Sequence, residues 1–185
     1  MSLTDEDLGL RAFTADDAEE RRAFYQRNRL FFERYSGTRP EAWYSLEGQQ
    51  RAIASVLGDQ ERDEGYAWGV YVAPVRQLIG TVGLSEVIRG PFQAAWIGYS
   101  FDESHTGRGY ATRAVRLVTA HAFAHLHLHR LEAGVMPHNE ASIRVLQKAG
   151  YHREGLMRKN VCINGQWEDH WHFARINPDS GPCED

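Results

Sequence analysis

Between an apolar run at residues 92–101 and an amphipathic one at 109–126 stands the glycine-spaced turn Thr106-Gly107-Arg108-Gly109-Tyr110-Ala111-Thr112. Strand, tight turn and helix in that order constrain the fold more than any other stretch. Glycine turns the backbone sharply and lets it approach a ligand, because no Cβ intervenes. The first amides of the following helix have no intrahelical acceptor and lie at the positive end of its dipole. Together these predict a socket for a phosphate or pyrophosphate. In the helix, Ala111, Ala114, Val115, Val118 and Ala122 recur at three and four, while Arg113 and Arg116 lie off that stripe.

The remainder reads as an α/β pattern. Residues 8–13 alternate as a short strand. Thr14 and Asp17 form a capping signature for a helix rich in early acids, continuing through Phe24 and Leu30-Phe31-Phe32 to Gly37. Pro40 opens a second helical stretch, with Trp43, Leu46, Ile53, Val56 and Leu57 as core candidates. Strands at 66–73, 78–88 and 92–101 are separated by Pro74-Val75-Arg76 and Arg89-Gly90-Pro91, turn chemistry suited to an antiparallel meander. The third is apolar on both faces, which predicts a central strand covered on both sides, with Gly98 where a ligand can come close. A strand at 129–135 follows, then a short helix at 139–149 closed by Gly150, with Val145, Leu146 and Ala149 buried. Strands at 156–163 and 167–176 flank Asn164-Gly165, a strong hairpin signal.

The chain's 185 residues suffice for one domain with its own core. With 42% hydrophobic and 25% charged residues it reads as globular rather than disordered. No apolar run approaches the roughly 20 residues of a membrane helix. Asp5, Glu6 and Asp7 stand where a signal peptide would be basic. Cys162 and Cys183 make a poor disulfide framework, so a reduced cytoplasm is expected. A net charge of −4 gives no general attraction for nucleic acid and mildly favours a cationic partner. No direct nucleic-acid or membrane partner is expected, and a homodimer is compatible with this composition.

Two familiar phosphate loops do not fit. A P-loop needs Lys-Ser or Lys-Thr after its last glycine, and Tyr110-Ala111 follows here. A dinucleotide fold needs a third glycine, where Thr112 stands, and an acid roughly 20 residues on, absent around Leu128. His121 and His125, at i and i+4, with His127 and His129 behind them, raise zinc. No Cys or Glu completes a set, so a polar helix end is the favoured reading and no metal is expected.

The turn instead resembles the pyrophosphate loop of the GNAT acetyltransferases, Gln/Arg-x-x-Gly-x-Gly/Ala, matching at Gly109 and Ala111 and departing at Thr106. Downstream, Pro137-His138-Asn139-Glu140-Ala141-Ser142 and Leu146-Gln147-Lys148-Ala149-Gly150-Tyr151 resemble the Pro-x-Asn-x-x-Ser…Leu-x-Lys-x-Gly-Phe pattern of the RimJ/RimL branch. Residues 87–94 and 163–170 are similar to the RimJ-type ribosomal-protein-alanine N-acetyltransferases within it. The resemblance implies a GNAT domain over residues 8–176, a single mixed and mostly antiparallel sheet flanked by helices, and a flexible tail at 177–185.

It further implies transfer of acetyl from acetyl-coenzyme A to a primary amine. The cofactor would be held by Thr106, Gly107, Arg108, Gly109, Tyr110, Ala111 and Thr112 at the pyrophosphate. Backbone groups of Tyr99, Ser100 and Phe101 would bond the pantetheine, which fills a gap where two strands splay. Asn139 would hold the same arm and Ser142 the sulfur. Helix capping by Asn139 and local backbone bonding by Ser142 are the plain alternatives. Many family members place a tyrosine proton donor at the position that is Leu146 here, so Ser142 is the expected substitute. An N-terminal amine, with a pKa of about 7.7–8.0, needs no strong base. Water-relayed deprotonation with Glu132 as helper is expected, Glu86 and Asp169 being further candidates that read more simply as exposed or ion-paired carboxylates.

In the family, the region of Phe31, Phe32 and Tyr35 often walls the acceptor cleft, although core or satellite packing is the favoured reading of those three residues. The implied acceptor is the N-terminal residue, alanine or similar, of a ribosomal or other protein. The alternatives are a small-molecule amine, favoured by a deep acidic pocket, and a non-catalytic acyl-coenzyme A sensor.

Overall fold

The computed structural model describes residues 2–73 and 77–181. The turn expected at Pro74-Val75-Arg76, and Cys183, lie outside the described residues. Among those residues eight strands form one sheet: β1 (Ser2–Asp5), β2 (Leu8–Ala12), β3 (Tyr66–Val72), β4 (Gln77–Ile88), β5 (Ala94–Phe101), β6 (Arg130–Val135), β7 (His152–Ile163) and β8 (Gln166–Ile176). Their order is β1-β2-β3-β4-β5-β6-β8-β7. Every neighbouring pair is antiparallel except β5–β6. The mixed, mostly antiparallel architecture expected from the sequence is present.

Helix α1 (Ala18–Arg27), α2 (Arg29–Phe32) and α3 (Leu46–Glu61) pack on one side of the sheet. Phe13, Phe24, Ile53, Tyr71 and Leu78 form the core there. On the other side α4 (Tyr110–Ala124) and α5 (Glu140–Lys148) cover the larger core. Ala114, Val115, Val118 and Ala122 of α4 are fully buried. The apolar stripe read from the sequence is therefore the face that meets the sheet, and each valine buried in it contributes roughly 1.5–3 kcal/mol.

Five expectations are corrected. An edge strand, β1, precedes the boundary expected at Leu8, and Arg113 of α4 holds it through Asp5 and Asp7 at 2.7 and 2.8 Å. The first helix does not run through to Gly37. It breaks at the buried Asn28, whose side chain donates to the Phe24 carbonyl at 2.9 Å and accepts the Glu103 N–H at 3.0 Å. A side chain that binds backbone in this way competes with the helix ladder.

Leu46 is exposed rather than core, because it is the first residue after Ser45, the cap of α3 that accepts the Gly48 N–H. β5 is not covered on both faces: Ala95 and Ile97 are buried in the larger core, but Gly98 on the other face is exposed. Finally, the start of the tail is held. Asn177 N–H donates to the His129 carbonyl at 2.8 Å, and the Ser180 hydroxyl lies 2.8 Å from the His129 ring.

Candidate active site

The parallel β5–β6 pairing lasts for three residue pairs and ends at Trp96 opposite Glu132. Beyond it β5 stays with β4 as far as Phe101, while β6 stays with β8 as far as Val135, so the sheet splits. The Gln93 carbonyl accepts from His129 and Arg130 on the β6 side, and the Asp102 N–H donates to Ile79 on the β4 side. Main-chain groups alternate along a strand. Those of Tyr99 and Phe101 therefore point into the gap, whereas those of Ser100 turn toward its β4 partner Thr81.

At the end of β5 the chain reaches the glycine turn. Gly107 and Gly109 have φ of +76° and +83°, and a Cβ at either would meet open space. Gly109 is the left-handed cap of α4. Among the described residues, the amides of Gly107 to Thr112 donate to no protein acceptor. A cradle of bare N–H groups at a helix start fits a pyrophosphate. The Arg108 side chain is exposed beside it, whereas Arg113 is committed to Asp5 and Asp7. The Thr106 hydroxyl and N–H both donate back to the Glu103 carbonyl, at 2.8 and 3.3 Å.

Asn139 caps α5, its side-chain oxygen accepting the Ser142 N–H at 3.2 Å. Ser142 does not follow the helix habit of bonding its own preceding turn. Its hydroxyl lies 2.8 Å from that of Tyr99, which the sequence offered only for its backbone. Burial, only slightly offset by the Ser142 bond, raises the Tyr99 hydroxyl pKa above the usual tyrosine value. Leu146, one turn on, is fully buried in the core.

Glu132 faces the opposite side of the split sheet. Its carboxylate accepts from Arg130 Nε at 2.5 Å and lies 3.5 Å from His172 Nε2. Arg130 also pairs with Glu154, and the His172 ring tilts against Trp96 at 5.5 Å between centroids. Glu132 is thus an ion-paired group at the mouth of the gap. Asp169 accepts the Lys159 N–H at 2.8 Å through one carboxylate oxygen and braces an irregularity in β7. Glu86 sits on a β4 bulge with φ of +52° and lines an open cavity of about 590 Å³ that Gly98 also lines.

Phe32 packs on the core of α1 and α3, while Tyr35 reaches the loop before α5, 5.9 Å from the His138 ring. His172 and the Tyr99 hydroxyl are the residues that sequence reasoning missed here. The histidine pair is corrected: His121 is not part of a polar helix end but lies buried edge-on against Trp68. Among the described residues no group of three or more potential ligands could hold a metal.

A split sheet, a bare-amide turn at the start of a helix and a capped serine helix beside the split define an acyl-transfer site. The acetyltransferase (GNAT) domain family matches residues 7–152, and the chain belongs to it. GNAT enzymes are acyltransferases that use acetyl-coenzyme A. A probable N-acetyltransferase of Bacillus subtilis (strain 168), YjcK, is 50% identical over 92% of this chain and 94% of its own length. The [ribosomal protein uS5]-alanine N-acetyltransferase of Escherichia coli (strain K12) is 29% identical over 98% of this chain and 94% of its own. The crystal structure of ribosomal-protein-S5-alanine acetyltransferase from Vibrio fischeri superposes with a TM-score of 0.93 at 31% identity, covering 98% of this chain and 100% of that one.

Proposed function

We propose that residues 8–176 form an N-acetyltransferase domain acting on the N-terminal amine, alanine or similar, of a ribosomal or other protein. The observation that supports this reading is the near end-to-end likeness to the S5-alanine enzyme of Vibrio fischeri, which takes in 98% of this chain and 100% of that one. That side is open where Gly98 faces it, which suits a chain terminus.

Acetyl-coenzyme A would supply the activated acyl group, its pyrophosphate on the amides of Gly107 to Thr112 and its pantetheine along Tyr99 and Phe101. One of those strand amides would donate to the developing oxyanion. Glu132, across the split, would take the amine proton through water. With an amine pKa of about 7.7–8.0, a fair fraction is neutral near pH 7.5, so an ion-paired carboxylate is base enough. A second reading, acetylation of a small cationic amine, is favoured by Glu64 and Glu86 on the open cavity.

Mass spectrometry of protein N-termini from cells with and without the protein separates the two. Loss of acetylation at one or a few N-termini is the expected result. Unchanged N-termini, together with thiol release from acetyl-coenzyme A by the purified protein on small polyamines but not on Ala-initiated peptides, would overturn the first reading in favour of the second.

A further inference from the structure

The Tyr99–Ser142 contact joins the middle of β5 to the first turn of α5 across 43 residues of sequence, at the edge of the split. Two hydroxyl protons are shared among three acceptors. Tyr99 Oη lies 2.8 Å from Ser142 Oγ and 3.2 Å from the Ser142 carbonyl oxygen. A desolvated tyrosine hydroxyl must donate to one of them. Donation over the shorter distance, to Oγ, leaves the serine proton free.

Serine on a helix ordinarily turns its hydroxyl onto the carbonyl three or four residues back. Among the described residues Ser142 makes no such bond, and its one side-chain partner is Tyr99. Leu146, the α5 position expected to carry a proton donor, is buried and apolar. A tyrosine thus reaches the same helix from the strand instead.

We propose that Tyr99 is a positioning residue: its hydroxyl donates to Ser142 Oγ and so turns the Ser142 proton toward the sulfur of coenzyme A. The inference rests on the acetyl-transfer reading above. In the transfer the amine nitrogen bonds the acyl carbon, the carbon–sulfur bond breaks and its electron pair stays on sulfur. The nitrogen loses one proton through water to Glu132, and the sulfur gains one from solvent. Until it does, the Ser142 O–H stabilises the thiolate, and Tyr99 polarises that O–H.

The test reads bound coenzyme A directly, through the ultraviolet absorbance of its thiolate during a pH titration. A free thiol of this kind has a pKa of about 8.5. In the wild-type complex it is expected lower by about one unit, the size of one charge-assisted hydrogen bond. Tyr99→Phe should return it most of the way, Ser142→Ala fully, and the double variant no further than Ser142→Ala. Site-specific 3-fluorotyrosine at position 99 keeps the hydroxyl, makes it a stronger donor and should lower the value further, which covers the case in which Tyr99→Phe folds poorly.

In turnover with an accepted amine, Tyr99→Phe should reduce kcat about tenfold with the KM for acetyl-coenzyme A nearly unchanged. An unshifted bound thiol in the wild type, indifference of that thiol to Tyr99→Phe, or additive losses in the double variant would overturn the proposal. A protein that accepts no amine yet shows the shifted thiol would refute the acetyl-transfer reading and leave the Tyr99 geometry standing.

Discussion

The side-chain oxygen of Asn164, at the tip of the β7–β8 hairpin, accepts the Thr38 N–H at 2.7 Å and the Thr38 hydroxyl at 2.6 Å. Its amide donates to the Glu33 carbonyl at 3.3 Å. One residue therefore fastens the far hairpin to the loop after α2, the region proposed to wall the acceptor cleft. Asn164 also holds a left-handed conformation, φ +50°, with Gly165 at +81° behind it.

Asn164→Gly keeps that turn and removes the latch. The KM for the amine acceptor should rise about threefold to tenfold, as losing roughly 1 kcal/mol of wall-holding bonds predicts, with the KM for acetyl-coenzyme A unchanged. Faster amide hydrogen exchange in residues 162–167 checks the cause independently of turnover. Equal exchange in variant and wild type would show that the latch does not order the hairpin.

Gly109, at φ +83°, admits a side chain sterically but not conformationally. Gly109→Val should cost about 1–3 kcal/mol of stability through strain and should weaken acetyl-coenzyme A binding at least tenfold. Calorimetric titration checks it. Full-strength binding by a folded variant would remove the turn from the cofactor site.

Asp102 ties α1 to the segment that leads into the glycine turn. It accepts from Arg27 Nε at 2.6 Å and from the Ser104 N–H and hydroxyl at 3.1 and 2.7 Å. Burial opposes its charge, but the Arg27 and Ser104 bonds outweigh burial and bring the pKa down to about 2. Because the folded value lies below the unfolded one of 3.8, its contribution is complete above about pH 4 and is lost as the pH falls toward 2. Asp102→Asn should lower stability at pH 7 by about 1–3 kcal/mol and flatten the acid limb of a denaturant-midpoint profile. An acid limb identical to the wild type would assign that limb to other carboxylates.

The sequence made the local devices legible. Gly107, Gly109 and Asn164-Gly165 sit where the backbone needs positive φ, and each reads from two or three neighbouring residues. The α4 stripe was legible for the same reason, since period and burial are both local. Thr38–Asn164, Arg27–Asp102 and Tyr99–Ser142 are separated by 126, 75 and 43 residues, and nothing in either partner's neighbourhood specifies the other. Ser142 could be singled out from its motif, but the Tyr99 hydroxyl beside it could not. The position of His121 was legible yet misjudged. It lies three residues after Val118 and one before Ala122, on the buried stripe itself, and its polarity concealed a core position.

That position gives the last prediction. The His121 ring is 3% exposed, edge-on to Trp68 at 5.7 Å, with His125 at 5.0 Å, and neither nitrogen has a hydrogen-bond partner. Burial lowers its pKa below 6.5, and the neighbouring His125 adds a little. The folded state thus prefers neutral imidazole, while the unfolded chain takes up a proton near pH 6.5. Stability is full above that value and falls with the pH until His121 itself protonates. His121→Leu replaces the ring by an apolar side chain and should abolish that proton uptake. Denaturant midpoints at pH 7.5, 6.5 and 5.5 should therefore fall in the wild type and fall less in the variant. Parallel profiles would mean that His121 is already protonated or solvated in the folded protein, contrary to its packing on Trp68.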